Sequence, residues 1–489
     1  MSQQRSVLAP ERSAVHRLGA ELRARRDLAR LSLAGLAVRV TYNAAYLGRL
    51  ERGERLPALE VVKACDAELG AGGELVRLWH VAADEERRRK ARDEAVLDAR
   101  ISGGTFTGAQ DANGSTAVGT LYRPVTAGAY PEEFGDAAAS VGRLVRLDLG
   151  RDPAAAADPA DPELWREVSL RWLTDPDDEP GPLLAQGLAA GTKIVRAATD
   201  MFSSYDYQFG GGRSRLLIAQ VLDSDVLPTL NEVTPGSQPV AAYLSEVGAL
   251  LRLAAWTAYD IGRHGLAQAY FAQALRLARA AGDRLLGGRI LAGMSHQANF
   301  LGHYQRAVEL ARAAREGFRG QGTAAAMALA WSMEARAQAS LLRRRECLHA
   351  IAEAEKSLAH SDPANEPPWL HYFDDAELHA EAAHCFRDLG DTQNACRHAE
   401  LSIRTSKSLY VRSMSFVTTV QATGHLLAGD LDQATALAVT VVDTAADQVR
   451  SRRVLAYLDD FRDRLARYPD ARATRNFEEY VTGRLSSVS

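Results

Sequence analysis

The side chains best equipped for strong directed contacts are the arginines near the N-terminus. From Arg17 to Arg55 the chain carries nine arginines against four acidic residues, Glu21, Asp27, Glu51 and Glu54. A guanidinium is a rigid fork of donors that matches a phosphate or the edge of a guanine. This excess therefore marks an anionic partner, although the whole chain has a formal net charge of -4. The other chemistry-bearing residues form no catalytic set: no serine sits in a GxSxG elbow, no HExxH occurs, and the histidines are scattered. Gly210-Gly211-Gly212 lacks the GxxxxGK[ST] spacing of a phosphate loop and predicts a plain interhelical turn. Cys65, Cys347, Cys385 and Cys396 form no CxxC pair. His384 and His398 flank the last two, but reduced, partly buried thiols are expected rather than a metal site. No enzyme activity, cofactor or metal is expected.

The elements that must position the arginines are short helices. Ser32 is a good N-cap, and Leu33, Leu36, Ala37 and Val40 follow at i, i+3, i+4 and i+7, which makes one apolar stripe. A second helix opens at Asn43. Leu47 and Leu50 face inward, leaving Ala44, Ala45, Gly48, Arg49 and Arg52 outward, and Gly53 stops it. Together these are a helix-turn-helix. A helix over 13–28, with Val15, Leu18 and Leu22 on one face, packs across the pair. After Pro57, 58–69 predicts a fourth helix with Leu59, Val62 and Leu69 inward, and 74–81 a fifth, closing a small all-α domain over 13–82.

This stretch resembles the Cro/repressor-like (XRE-type) helix-turn-helix family in the form common among actinobacterial regulators. The resemblance rests on Ser32-Leu33-x-x-Leu36-Ala37, on Tyr46-Leu47-x-Arg49-Leu50-Glu51-Arg52-Gly53, and on Pro57. It implies double-stranded DNA as partner, with the second helix in the major groove and the first crossing the backbone. It places Ala44, Ala45 and Arg49 at base edges, Asn43, Tyr46 and Arg52 nearer phosphates, and Ser32 and Arg39 on the first helix of the DNA-binding set. Arg49 is then the candidate for bidentate contact with guanine, the alanines touching only thymine methyls. The family also pairs the arginine matching Arg26 with the glutamate matching Glu51, a structural contact. Thr41 departs from the family's usual turn glycine.

At 489 residues, with 46% hydrophobic and 25% charged residues, the chain is globular and too long for one core. It shows no signal-peptide pattern and no run of about 18 apolar residues, so a cytoplasmic, nucleoid-associated protein without membrane contact is expected. The charge-dense stretch that includes Arg87-Arg88-Arg89-Lys90 predicts a solvated helix, and 103–119, rich in Gly, Thr, Ser and Asn, a flexible linker; 83–120 thus separates two domains. Residues 121–182 form an uncertain connecting segment or insertion. Within it Leu144 to Leu149 alternates like a short strand, and 163–173 predicts a helix whose Trp165 and Trp172 share a core-packing face.

From residue 183 to 485 the chain repeats. An alanine follows a turn glycine by five residues at Gly262/Ala267, Gly302/Ala307, Gly390/Ala395 and Gly429/Ala434, with Arg345/Ala350 filling the gap without its glycine. Mostly small residues recur four and seven positions later. This is the spacing of the second helix of a tetratricopeptide hairpin, and the anchors lie 40, 43, 45 and 39 residues apart. The fold class expected is all-α: a five-helix helix-turn-helix domain plus a tetratricopeptide-like α-solenoid for sensing and dimerisation. The first helices should line a concave groove, presenting Trp256, Tyr259, His296, Asn299, Trp331, Glu334 and His379, with Trp369 and Tyr372 beside them. These residues either fill gaps between irregular repeats or wall a cleft for a small-molecule or peptide effector. The expected whole is a dimeric transcriptional regulator on a pseudo-palindromic operator; the competing expectation is a repeat-based interaction protein with little sequence-specific DNA affinity.

Overall fold

A computed structural model describes residues 14–40, 44–51, 53, 57, 59–83, 130–131, 133–150, 160–175 and 187–485, which form helices and turns without a strand. The all-α class is as the periodicity predicts. The chain divides into two compact units, Met1–Thr116 and Ala117–Ser489.

In the first unit, α1 (Ala14–Leu28), α2 (Leu33–Arg39), α3 (Ala44–Glu51), α4 (Leu59–Glu68) and α5 (74–83) enclose a small core. Leu18, Leu22, Leu36, Leu47, Leu50 and Leu75 meet there, each at most 5% exposed. The Ser32 hydroxyl accepts the Gly35 N–H at 3.0 Å, capping α2. Gly53, with φ of 67°, ends the α3 segment in the left-handed region. Gly48, expected on the outward face, is buried where α3 runs against α1 and α2. The inward stripe of α4 is Val61, Val62 and Cys65, with Leu59 and Leu69 half-buried. The Asp66 carboxylate accepts the N–H groups of Gly73 and Leu75 at 2.7 and 2.9 Å, fixing the start of α5.

The second unit opens with α6 (Phe134–Asp148) and α7 (Pro162–Thr174). The strand expected over 144–149 is instead the end of α6. Ala137, Val141, Leu144 and Val145 recur at helical spacing and are buried, and Asp148 points inward too, pairing with Arg215 and accepting the Tyr270 hydroxyl. Trp165 and Trp172 lie on the buried face of α7, and Gly287 and Gly317 leave the room that the Trp172 ring occupies.

Next come α8 (Leu188–Phe209), α9 (Gly211–Val221), a π-turn over Leu222–Val226 and α10 (Leu227–Leu230). Among the described residues five helical hairpins follow: α11 (Gln238–Asp260) with α12 (His264–Ala280), α13 (Arg284–Phe300) with α14 (Tyr304–Phe318), α15 (Ala324–Ser340) with α16 (Arg344–Leu358), α17 (Asp375–Asp388) with α18 (Thr392–Thr405), and α19 (Val411–Leu427) with α20 (Leu431–Asp447). Two helices, α21 (Arg452–Leu465) and α22 (Arg472–Leu485), complete the array.

The anchor alanines Ala267, Ala307, Ala395 and Ala434 are fully buried at the fourth position of their helices. Small side chains there let each hairpin's helices close together. The third hairpin corrects the expected register. Its left-handed turn residue is Leu342, with φ of 59°, in the place held elsewhere by glycine, so its anchor is Cys347 rather than Ala350. The extra length then falls between α16 and α17, where 359–374 carries a 3-10 turn at Pro368–Leu370.

Leu342 is 71% exposed and packs on little, yet its Cβ strains a left-handed backbone. Leu342→Gly should stabilise the array by up to about 1 kcal/mol, a gain limited by the extra freedom glycine gives the unfolded chain. Chemical denaturation followed by circular dichroism would show a higher midpoint; a lower one would mean that the leucine packs.

Candidate functional site

Two places in the chain gather chemistry. In the first unit, Arg26 of α1 reaches Glu51 at the end of α3 through paired contacts, Nε to Oε1 at 2.5 Å and Nη2 to Oε2 at 3.0 Å, both residues buried. Its Nη1 donates to the Leu31 carbonyl at 2.7 Å, so one guanidinium holds α1, the turn into α2, and α3. The Glu51 carboxylate raises the Arg26 pKa above its ordinary value, keeping it charged. Gly19 lets α1 lie on the end of α3, since a Cβ there would fall 2.4 Å from the Leu50 carbonyl oxygen. Ser32 is spent on capping α2, and Arg39 makes an exposed pair with Glu68 at 2.9 Å, one that a phosphate can displace. Asn43 and Arg52 lie outside the described residues, as do the side chains of Ala44, Ala45, Tyr46 and Arg49, whose backbone belongs to α3.

The second place is a cavity of about 120 Å³ inside the helical array. The first helix of every hairpin, α11, α13, α15, α17 and α19, supplies part of its wall, with α8 and α21 closing it. Closure depends on the two ends of the array meeting. The Arg450 N–H donates to the Phe209 carbonyl at 2.7 Å, and the Gly212 N–H to the Arg450 carbonyl at 3.0 Å. Asp260, fully buried, accepts the Gly211 N–H at 3.0 Å and the Ser451 hydroxyl at 2.9 Å. The triple glycine joins α8 to α9 with only Gly210 between the helices, Gly211 and Gly212 forming the first turn of α9 rather than part of the expected turn, and its composition has a cause: a Cβ at Gly210 or Gly211 would lie 2.7 Å from the carbonyl oxygen of Arg450 or Thr257. The N–H groups of Gly211 and Gly212 are already engaged, which leaves no phosphate cradle.

The cavity wall is unusually ionic. Arg412 pairs with Asp206 at 2.6 Å and stands 3.6 Å from Asp260; Arg336 pairs with Glu381 at 2.7 Å. Arg453 is 3.5 Å from Asp260 and lies over the rings of Tyr259, Phe416 and Trp256. Arg252 and Arg289 complete the cationic set. Burial, reinforced by the charges of Arg453 and Arg336, drives the His296 pKa well below its ordinary value, so the ring is neutral and pairs with the Tyr259 hydroxyl at 2.8 Å. Burial, with Glu381 nearby, pushes the Glu377 carboxyl up to about 8.

Of the groove residues expected from sequence, Trp256, His296 and Tyr372 line this cavity. Tyr259 stands behind His296, and Trp369 lies beneath the Arg289 guanidinium at 4.1 Å. The others point elsewhere: Trp331 stacks under Arg315 at 3.4 Å, Glu334 holds Arg312 and Arg315, and His379 packs on His398. Asn299 is not part of the wall; its Oδ1 is buried without a hydrogen bond among the described residues. His384 faces the cavity, whereas Cys385 lies beside Cys347 and His398 against Phe386, so these residues diverge. Sequence reasoning missed the arginines. Arg252, alone in the apolar run 247–255, was the available signal.

Residues 17–79 match the family described as helix-turn-helix domain. No curated protein and no solved structure matches the chain. Among the described residues, no helix is long and apolar enough to cross a membrane.

Arg26→Met should destabilise the first unit by about 3–5 kcal/mol, because it strands the Glu51 carboxylate in a buried site, and Arg26→Met with Glu51→Leu should recover most of that loss. Amide exchange in α1 and α3 reads both; equal exchange in single and double variants would show that the pair does not organise the unit.

Proposed function

We propose that this chain is a dimeric, sequence-specific transcriptional regulator, with the helix-turn-helix unit as its DNA-reading element and a tetratricopeptide-like array that senses a small molecule or peptide or binds a partner protein. The match over 17–79 carries the DNA-binding part of this reading. The Arg26–Glu51 pair supports it by fixing α2 and α3 as a rigid pair, as groove reading requires. In the Cro/repressor-like arrangement that the sequence resembles, Arg49 contacts a guanine, Asn43, Tyr46 and Arg52 hold phosphates, and Arg39 releases Glu68 to do the same. One short helix reads too few base pairs for useful selectivity, so two copies bind half-sites about one helical turn apart. Occupancy of the array then alters operator affinity through its different free energy in the two states. Such a protein works in the cytoplasm, on the nucleoid.

Arg49→Ala should weaken cognate binding by about 1–3 kcal/mol with little change on random duplex; an equal loss on both would move Arg49 to the phosphates. Light scattering at micromolar concentration should give a dimer, and a monomer that still binds one site tightly would overturn the symmetric arrangement. A salt titration on selected and random duplexes should keep a wide affinity ratio between them. A ratio near unity would instead favour an interaction protein built on the repeats.

A further inference from the structure

Every carboxylate in the cavity wall but one already has its arginine: Asp206 has Arg412, and Glu381 has Arg336. Arg252 and Arg289 have none. Among the described residues neither guanidinium comes within 4.0 Å of a carboxylate oxygen or makes a hydrogen bond, and the Arg252 Nε is buried without any partner. Arg289 is only 6% exposed and has the face of Trp369 as its support. Burying one unpaired cation costs several kcal/mol, and burying two side by side adds their repulsion. Burial and the Arg252 charge together bring Arg289 down to about 9. The remaining wall carboxyl, Glu377, does not serve them: its neighbouring cations are Arg336 and Arg412, which are already paired. Around the two arginines, the Tyr207 and Tyr372 rings lie 6.3 Å apart, and their hydroxyls hydrogen-bond to no protein group among the described residues.

Folded proteins leave few buried polar groups unsatisfied, and two guanidiniums with two phenols converging on one cavity form an oxyanion receptor. We propose that the cavity binds a small organic acid, its carboxylate or phosphate held between Arg252 and Arg289 and hydrogen-bonded by Tyr207 and Tyr372. Its apolar body lies against Leu329, Met333 and Phe416, which also line the cavity. A volume of about 120 Å³ is close to the roughly 150 Å³ of an engineered apolar cavity that holds one benzene. That suits a compact acid and is too small for an extended peptide. The inference rests on the proposed sensory role of the array for its link to DNA.

The test uses the full chain in chloride buffer with benzoate, phenyl phosphate, inorganic phosphate and, as the uncharged counterpart of benzoate, benzamide. At least one anion should raise the melting temperature where benzamide does not, and benzoate against phenyl phosphate shows which head group the site prefers. Arg252→Met and Arg289→Met should each weaken that anion on the order of tenfold to a hundredfold, the loss of charge-assisted hydrogen bonds. Without added anion, Arg252→Met should melt at or above the unsubstituted protein, because it removes a half-buried charge with no carboxylate partner and a buried Nε among the described residues; a purely structural arginine would give a lower melting point. Anions that stabilise no better than benzamide, or an Arg252→Met variant that melts lower and binds anion unchanged, would overturn the site. An anion that binds while operator affinity stays constant would keep the site and remove the sensory reading. Intact operator binding with no anion effect on stability would remove the site and leave the regulator standing.

Discussion

The helical array depends on a single buried carboxylate. Asp260 ends α11, and on it converge the Gly211 N–H, the Ser451 hydroxyl, and the guanidiniums of Arg453 and Arg412. Residues about two hundred positions apart in the chain thus share one anion. Without it, two buried arginines would lose a counter-charge and the junction of α8, α9 and α21 would lose its centre. The first helices of all five hairpins face the space this junction bounds, so Asp260 helps to hold the cavity that their inner surface lines.

Enclosure by the helices changes what the inner side chains experience. In an open groove the arginines would be solvated and their charges screened; inside the chamber, burial depresses Arg252 and Arg289, neutralises His296 and raises Glu377. Pairs such as Arg336–Glu381 and Arg412–Asp206 are therefore obligatory partners, and losing one member leaves its mate stranded. In the helix-turn-helix unit the Arg26–Glu51 pair plays the same part on a smaller scale, tying three segments by one guanidinium where the core is small.

Features that live in local spacing were legible in the sequence. The Ser32 cap, the Gly53 stop, the shared face of Trp165 and Trp172, and the buried alanines at Ala267, Ala307, Ala395 and Ala434 all express helical periodicity or turn chemistry within a few residues. Misreadings came where a local signal was false or missing. Leu144 to Leu149 alternates by coincidence, and only the longer window from Ala137 shows a helix. Leu342 occupies a left-handed turn without the glycine that advertises one, which shifted the third hairpin by three residues. The chamber itself was illegible, because Asp206, Arg412 and Arg453 acquire meaning only when the ends of the array meet. Two of the five ring-bearing residues expected from the first helices, Trp331 and His379, turned instead toward neighbouring helices, since a helix that contacts others on two sides packs rings on each.

The meeting of Phe209 and Gly212 with Arg450 also bears on how the unit folds and comes apart. An open stack of hairpins has only neighbour contacts, so it can fray from either end and nucleate anywhere. Here the terminal helices are stitched to the start of the array across some 240 residues of chain. That long loop must close before the last contacts form, which raises contact order and slows folding. Once closed, the hairpins between α8 and α21 cannot peel away singly from either side, and they share one cooperative fate.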